Sequence, residues 1–125
     1  MSIIQNVLIV DDSKTELAYL TSILKQGGFS IRTAENAEQA MQRLEESAPD
    51  LILMDVIMPG MNGFQLTRQI KRDEKFSSIP IILCTSKDQP TDRFWGLKQG
   101  AAEYLVKPVD AEELLEKISA LKHKV

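Results

Sequence analysis

The sequence predicts an α/β fold: a single doubly wound (βα)5 domain over residues 1–125, its parallel sheet in the strand order 2-1-3-4-5. Three observations predict it. Stretches suited to a strand and stretches suited to a helix alternate five times, the pattern of a parallel sheet with helices on both faces. The runs Val7–Val10, Leu51–Met54 and Ile79–Cys84 are apolar almost without interruption, as strands covered on both faces are. Two of these runs end in carboxylates, Asp11 with Asp12 after the first and Asp55 after the second. Right-handed crossovers leave few topologies, and the favoured five-strand order sets strands 1 and 3 side by side with the switch point between their carboxyl ends.

Each element has its own warrant. After Val7–Val10, Ser13 and Glu16 have the spacing of a capping box, and Leu17, Leu20 and Leu24 mark one helical face that Gly27 and Gly28 end. Phe29 to Ala34 alternates apolar with polar, as an edge strand does. Asn36 with Gln39 opens a second helix whose stripe is Ala37, Ala40, Met41 and Leu44, with Pro49 beyond its end. The central strand Leu51–Met54 runs into Asp55, and Pro59 and Gly60 turn the chain. Asn62 and Gly63 begin a third helix with Leu66 and Ile70 inside. Ile79 to Cys84 forms the fourth strand, with Pro80 tolerable at its start. Pro90 suits the first turn of a fourth helix reaching about Gln99, and Phe94 and Leu97 are expected to face the sheet. Glu103 to Val106 is a short strand that Lys107 and Pro108 break, and Asp110 with Glu113 caps a last helix carrying Leu114, Ile118 and Leu121.

Composition narrows the function classes. The 125 residues are 43% hydrophobic and 26% charged, ordinary values for one domain with a real core. A net charge of −3 argues against non-specific nucleic-acid binding. The one cysteine, Cys84, lies in an apolar run and reads as a buried, inert thiol in a reducing compartment. No run reaches the length of a membrane span, and Met1 to Gln5 lacks the pattern of a signal peptide, so the expected location is cytoplasmic. Lys122 to Val125 reads as a fraying end.

Three carboxylates at adjacent strand ends repel and need a compensating cation. Oxygen ligands suit a hard divalent ion, Mg²⁺ with Mn²⁺ as a possible substitute, and there is no His-rich or Cys-rich set for zinc. Beside such an ion a carboxylate can act as a nucleophile toward phosphorus and become an acyl phosphate. Lys107, ending strand 5, can add a second positive charge, and Thr85, ending strand 4, can donate a hydroxyl. Each residue has a plainer reading: a helix cap for Asp11 or Asp12, a turn for Asp55, a structural hydroxyl for Thr85, a solvated amine for Lys107. Their joint placement at the ends of strands 1, 3, 4 and 5 outweighs those readings.

The segments Val10–Ser13, Met54–Gly63, Cys84–Ser86 and Tyr104–Pro108 resemble the receiver-domain signatures of bacterial response regulators, in order and at the expected spacing along nearly the whole chain. The flavodoxin-like strand order given above is the order of CheY, so this part of the expectation is not independent of the resemblance. With no output domain after the last helix, the chain looks like a stand-alone, CheY-like receiver. The resemblance implies that Asp55 is the phosphoacceptor. It implies that Asp11, Asp12 and Asp55 hold Mg²⁺ together with the backbone carbonyl of Ile57. Thr85 would be the switch hydroxyl, Tyr104 the switch aromatic, and Lys107 the contact to phosphoryl oxygens, with a cis Lys107–Pro108 bond. Phosphorylation would change the surface of helix 4, strand 5 and helix 5, and so the binding of a protein target.

Several positions are more individual. Ile57, two residues after Asp55, is apolar where many receivers are polar, and Lys87 is basic where CheY is acidic. Both can line the path of the water that hydrolyses an acyl phosphate, or be tolerated rim residues. Arg93, Trp95 and Tyr104 are candidates for a partner surface, since an accessible Trp beside an Arg suits one; Trp95 packed under a neighbouring helix is the competing reading. The segment Lys87–Gly100, with Asn62–Ile70, is similar to CheY-like regulators of the PilH type in twitching motility and type IV pilus control. That similarity implies a histidine kinase of the chemotaxis type as phosphodonor; with no DNA-binding element and no long apolar run, no nucleic acid and no membrane insertion are expected, and the expected state is a monomer or weak dimer. The chain would catalyse only its own phosphorylation and dephosphorylation. Competing readings are a phosphate sink without an output, a small phosphohydrolase with Asp55 as nucleophile, and a nucleotide- or flavin-binding domain. The phosphohydrolase would need a nearby general acid/base and a cap, and the nucleotide- or flavin-binding domain a glycine-rich loop after strand 1; the sequence shows none of these.

Overall fold

The apolar runs become the middle of a five-stranded parallel sheet in the order β2-β1-β3-β4-β5. The computed structural model describes residues 3–122, so the expectation for the last residues, 123–125, lies outside the described part. The strands are β1 (Asn6–Val10), β2 (Ser30–Ala34), β3 (Leu51–Met54), β4 (Ile81–Thr85) and β5 (Glu103–Val106). The helices are α1 (Lys14–Gln26), α2 (Ala37–Glu46), α3 (Gly63–Arg72), α4 (Pro90–Lys98) and α5 (Ala111–Lys122). The expected α/β class and strand order are what the chain adopts.

Successive strand residues point to opposite faces, so each strand feeds two cores. Leu8, Val10, Ile52, Met54, Ile81 and Leu83 pack with Ala40 and Leu44 of α2 and Leu66 and Ile70 of α3. Val7, Ile9, Leu51, Leu53, Ile82 and Cys84 pack with Leu17, Leu20 and Leu24 of α1 and Leu114 and Ile118 of α5. Each fully buried Leu or Ile contributes about 1.5–3 kcal/mol. That burial holds β3 central and fixes the register Val10↔Met54, which brings the ends of β1 and β3 level.

The caps are as the spacings predicted, with one exception. Asn62 and Gln65 form a complete capping box, and Asp110 Oδ2 accepts from Glu113 N at 2.9 Å. Ser13 Oγ accepts from Glu16 N at 3.2 Å, but the Glu16 side chain does not return the bond. Strand β4 begins at Ile81, two residues later than expected. Pro80 has no N–H for the ladder; its carbonyl accepts from Ile52 N at 3.0 Å, and the strand starts after it.

Helix α4 corrects a second expectation. Phe94 and Leu97 do not face the sheet; they are 64% and 41% exposed. The inward positions are Gly96 and Gln99, both buried, with Asp92 half-buried beside them. A helix turns about 100° per residue, so once Gly96 centres the inner face, Leu97 and Trp95 lie to either side and Phe94 points away.

Candidate functional site

The carboxyl ends of β1, β3, β4 and β5 converge on one acidic cluster. Asp11, Asp12 and Asp55 each offer a carboxylate oxygen, all within 4.8 Å of one another. Asp11 and Asp55 are buried, whereas Asp12 is exposed. Asp11 Oδ1 accepts from Ser13 N at 2.9 Å, and Asp55 Oδ1 accepts from Ile57 N at 3.3 Å. The loop carrying Asp55 is held close to α3 at Gly63: its N–H donates to Val56 O at 2.8 Å, and a Cβ there would fall 2.2 Å from the Asp55 carbonyl oxygen.

Lys107, the first residue past β5, reaches into the cluster. Its Nζ donates to Asp11 Oδ2 at 2.7 Å and lies 3.3 Å from Asp55 Oδ2. Its backbone N–H donates to Thr85 O at 2.8 Å, which anchors the end of β5 to the end of β4. The Lys107–Pro108 peptide bond is cis, as expected. Burial raises the Asp55 carboxyl above its ordinary range; the Lys107 charge opposes the rise and the Asp11 charge adds to it. For Lys107 burial alone would lower the pKa, but the hydrogen bond to Asp11 and the charges of Asp55, Asp11 and Glu16 outweigh it and hold the ammonium above its ordinary value.

One lysine does not neutralise three carboxylates. The donors are all oxygens, and among the described residues no His or Cys joins the cluster. Such a set fits a hard divalent cation of the Mg²⁺ kind. Glu16 is a residue the sequence reading placed only as a cap partner. Its Oε1 is buried without a hydrogen bond, and its carboxyl is raised, by burial first, with the Lys107 charge opposing and the Asp11 and Asp55 charges adding. Its position in the first turn of α1, four residues after Asp12, was the available signal.

Thr85 is fully buried, and its Oγ1 accepts from Lys87 N at 3.4 Å. Tyr104, expected as the switch aromatic and as a partner-surface candidate, is only 2% exposed, so its ring is not part of the surface. Its hydroxyl donates to Lys87 O at 2.8 Å, and burial, with the charges of Asp92, Asp55 and Asp88 and against that of Arg93, pushes its pKa up to about 12. Arg93 is exposed on α4 but donates to Tyr104 O at 3.2 Å. Trp95 is 47% exposed, so it is not packed under another helix; with Ile57, Met58, Phe64 and Lys87 it lines an open cleft of about 550 Å³ beside the site. Ile57 is 54% exposed at that rim, and Lys87 Nζ lies 3.6 Å from Asp92.

A doubly wound parallel sheet, with an acidic cluster at its switch point and a lysine reaching in from β5, defines a CheY-like α/β domain. The chain belongs to the response regulator receiver domain family, whose model matches residues 7–119. It is 50% identical to Protein PilH of Pseudomonas aeruginosa over 115 residues, covering 92% of this chain and 95% of that protein. It is 37% identical to the phosphate regulon transcriptional regulatory protein PhoB of the same organism, covering 94% of this chain but only 51% of PhoB. Among solved structures it is similar to the chemotaxis response regulator CheY4 of Vibrio cholerae, with a TM-score of 0.87, 28% identity, and coverage of 95% of this chain and 99% of that one. A putative response regulator from Chloroflexus aurantiacus gives a TM-score of 0.90 at 28% identity, covering 95% and 98%. The chain is thus the receiver domain of a two-component response regulator, a signalling protein, and among its described residues no helix is long and apolar enough to cross a membrane.

Proposed function

We propose that this chain is a Mg²⁺-dependent phosphoacceptor switch of the PilH kind, working as one domain in the cytoplasm, as a monomer or weak dimer, in motility or type IV pilus control. A histidine kinase of the chemotaxis type is the phosphodonor. An Asp55 carboxylate oxygen bonds to phosphorus while the bond from phosphorus to the kinase's imidazole nitrogen breaks, giving an acyl phosphate. Water later returns the carboxylate and inorganic phosphate. The observation that carries this reading is the buried Asp55 with Lys107 Nζ 3.3 Å from its Oδ2 at the open end of the sheet.

Asp11, Asp12, Asp55 and the Ile57 carbonyl would hold Mg²⁺, which when bound neutralises charge on the incoming phosphoryl oxygens. Lys107 supplies a fixed positive charge to those oxygens, and Thr85 a hydroxyl. The chain catalyses only its own phosphorylation and dephosphorylation and turns over no separate substrate. Phosphorylation adds about −1.5 to −2 charge units and three acceptors at Asp55. Thr85 and Tyr104 already meet through the two backbone groups of Lys87, so a pull on the Thr85 hydroxyl is felt at the tyrosine. The readout is altered binding of a protein target at the α4–β5–α5 surface, biased by whichever state that partner prefers.

The test is intact mass after acetyl phosphate with and without Mg²⁺. The expected result is one phosphoryl group that requires Mg²⁺ and is lost in Asp55→Asn. No mass gain under any small phosphodonor would overturn the reading.

A further inference from the structure

Helix α4 carries a glycine in its interior, where glycine costs about 1 kcal/mol relative to alanine. The reason for it lies directly beneath. A Cβ built on Gly96 would stand 2.9 Å from Leu83 Cδ1, 2.9 Å from Tyr104 Cδ2 and 3.1 Å from Tyr104 Cε2. Carbon atoms pack at about 3.5–4.0 Å, so an alanine there cannot coexist with the present ring and the present helix position.

We propose that Gly96 is a positioning residue for Tyr104: the bare backbone at this one point of α4 makes the slot that keeps the tyrosine ring inside while the helix stays seated. The regulatory meaning rests on the phosphoacceptor reading above, because only there does the ring's position carry a signal. The packing claim itself stands without it.

The rest of α4 supports this assignment. The helix inserts no large apolar side chain into the core; Phe94, Trp95 and Leu97 are all exposed, and its buried residues are Gly96 and, at the C-cap, Gln99. Its seat is therefore the glycine contact together with polar ties. Arg68 Nε donates to Gln99 Oε1 at 2.9 Å, tying the end of α4 to α3. Arg93 donates to Tyr104 O, and Lys87 lies beside Asp92 in the first turn. Lifting the helix breaks these ties and uncovers Leu83. Swinging the ring out breaks one hydrogen bond, from the Tyr104 hydroxyl to Lys87 O. With alanine at 96 the ring therefore leaves, the Leu83 Cδ1 methyl shifts aside, and the helix stays. Its departure unhooks Lys87 O, the neighbour whose N–H meets Thr85, so the two halves of the proposed switch come apart at that loop.

The experiment uses the full chain in a Tyr19→Phe background, which leaves Tyr104 as the one tyrosine. With 3-fluorotyrosine incorporated, the change of the fluorine shift between H₂O and D₂O reports ring exposure. The expected result is a small isotope shift in the background protein, unchanged in Leu97→Ala, and a shift at least twice as large in Gly96→Ala. A folded Gly96→Ala protein with the background shift overturns the proposal. A thermal cycle separates this role from general damage. Gly96→Ala should lower Tm by roughly 4 °C when Tyr104 is present and by less than half as much when Tyr104 is replaced by Ala, where the Leu83 contact remains but the ring contacts are gone and helix propensity favours alanine. An equal loss in both backgrounds also overturns the proposal. Acetyl phosphate with Mg²⁺ then adds one phosphoryl group to both the background and Gly96→Ala proteins by intact mass. A missing mass gain in both would count against the phosphoacceptor reading and leave the fluorine and thermal results standing.

Discussion

Lys107 Nζ donates to Asp11 Oδ2 at 2.7 Å, a bond between residues 96 positions apart in the chain. No local segment could make it. It requires β5 to end beside β4, β4 beside β3 and β3 beside β1, so the bond is a product of strand order. The two side chains are 17% and 2% exposed, which removes most solvent screening from the pair. Asp55 sits between their parent strands and shares the same lysine. The site therefore holds a negative excess inside a surface that cannot fully hydrate it, and the first two predictions follow from that excess.

Asp55→Asn should melt higher than wild type at pH 7 without divalent ions. Folding raises the Asp55 carboxyl, through burial first, with Lys107 opposing and Asp11 adding. A carboxyl whose folded pKa exceeds its unfolded one binds its proton more tightly when folded. Its ionisation thus subtracts stability above the folded pKa, and that penalty is relieved as pH falls through the folded pKa. Below about pH 4, near the unfolded value, the gap between the two proteins should have closed. Paired melts from pH 7 to pH 3.5 measure it. A lower Tm for Asp55→Asn at pH 7 would show that Lys107 outweighs desolvation.

Mg²⁺ should stabilise the wild type by mass action, about 2.7 kcal/mol at a hundredfold excess over Kd. Asp12 is the exposed member of the cluster, so Asp12→Asn should fold normally and lose most of that gain. Denaturant melts in EDTA and in Mg²⁺ give the comparison. Equal Mg²⁺ stabilisation of both proteins would remove Asp12 from the ligand set.

How much of this was legible in the sequence depends on what each residue's position needs. The fold was legible because unbroken apolar runs such as Leu51–Met54 admit few alternatives once strands and helices alternate, and the order followed from the resemblance. The placement of Asp11, Asp12, Asp55 and Lys107 together, with Thr85 ending β4 beside Lys107, was legible because strand ends in such a sheet converge. The inner face of α4 was not. Periodicity assigns the core side to apolar residues, and here a glycine takes that side because a tyrosine from another element fills the space. Glu16 was misread for a similar reason: its capping spacing is real, but its carboxylate turns toward charges that only the tertiary fold brings near. Tyr104 was offered as a partner-surface candidate, but its ring is buried against the Gly96 position of α4, a contact no local pattern shows.

Cys84 should resist thiol reagents in the native protein. It is 1% exposed, and burial pushes its thiol up to about 12, with the Lys107 charge opposing and nearby carboxylates adding. Almost no thiolate exists at pH 8, and the thiolate is the reactive form. Labelling with iodoacetamide at pH 8 should be at least a hundredfold slower than for the urea-unfolded chain. Rapid native labelling would mean that β4 opens locally.

Ile57→Asn should shorten the lifetime of the acyl phosphate. Ile57 is 54% exposed at the rim of the cleft beside the site, and its backbone N–H donates to Asp55 Oδ1. The side chain therefore starts two residues from the phosphoacceptor and stands beside one approach to it, where an apolar group cannot hydrogen-bond an attacking water. An amide can hold such a water, and general positioning effects of this size change rates about tenfold per 1.4 kcal/mol. The expected change is a three- to tenfold faster loss, roughly 0.7–1.4 kcal/mol. Stability should stay within about 0.5 kcal/mol, since the position is exposed. Lys87 lines the same cleft and its Nζ lies 3.6 Å from Asp92 of α4, so Lys87→Ala tests whether the same path is also gated from the α4 side. The measurement is decay of the phosphorylated intact mass after removal of acetyl phosphate in Mg²⁺. An unchanged lifetime in Ile57→Asn would falsify the steric role and make Ile57 a tolerated rim residue.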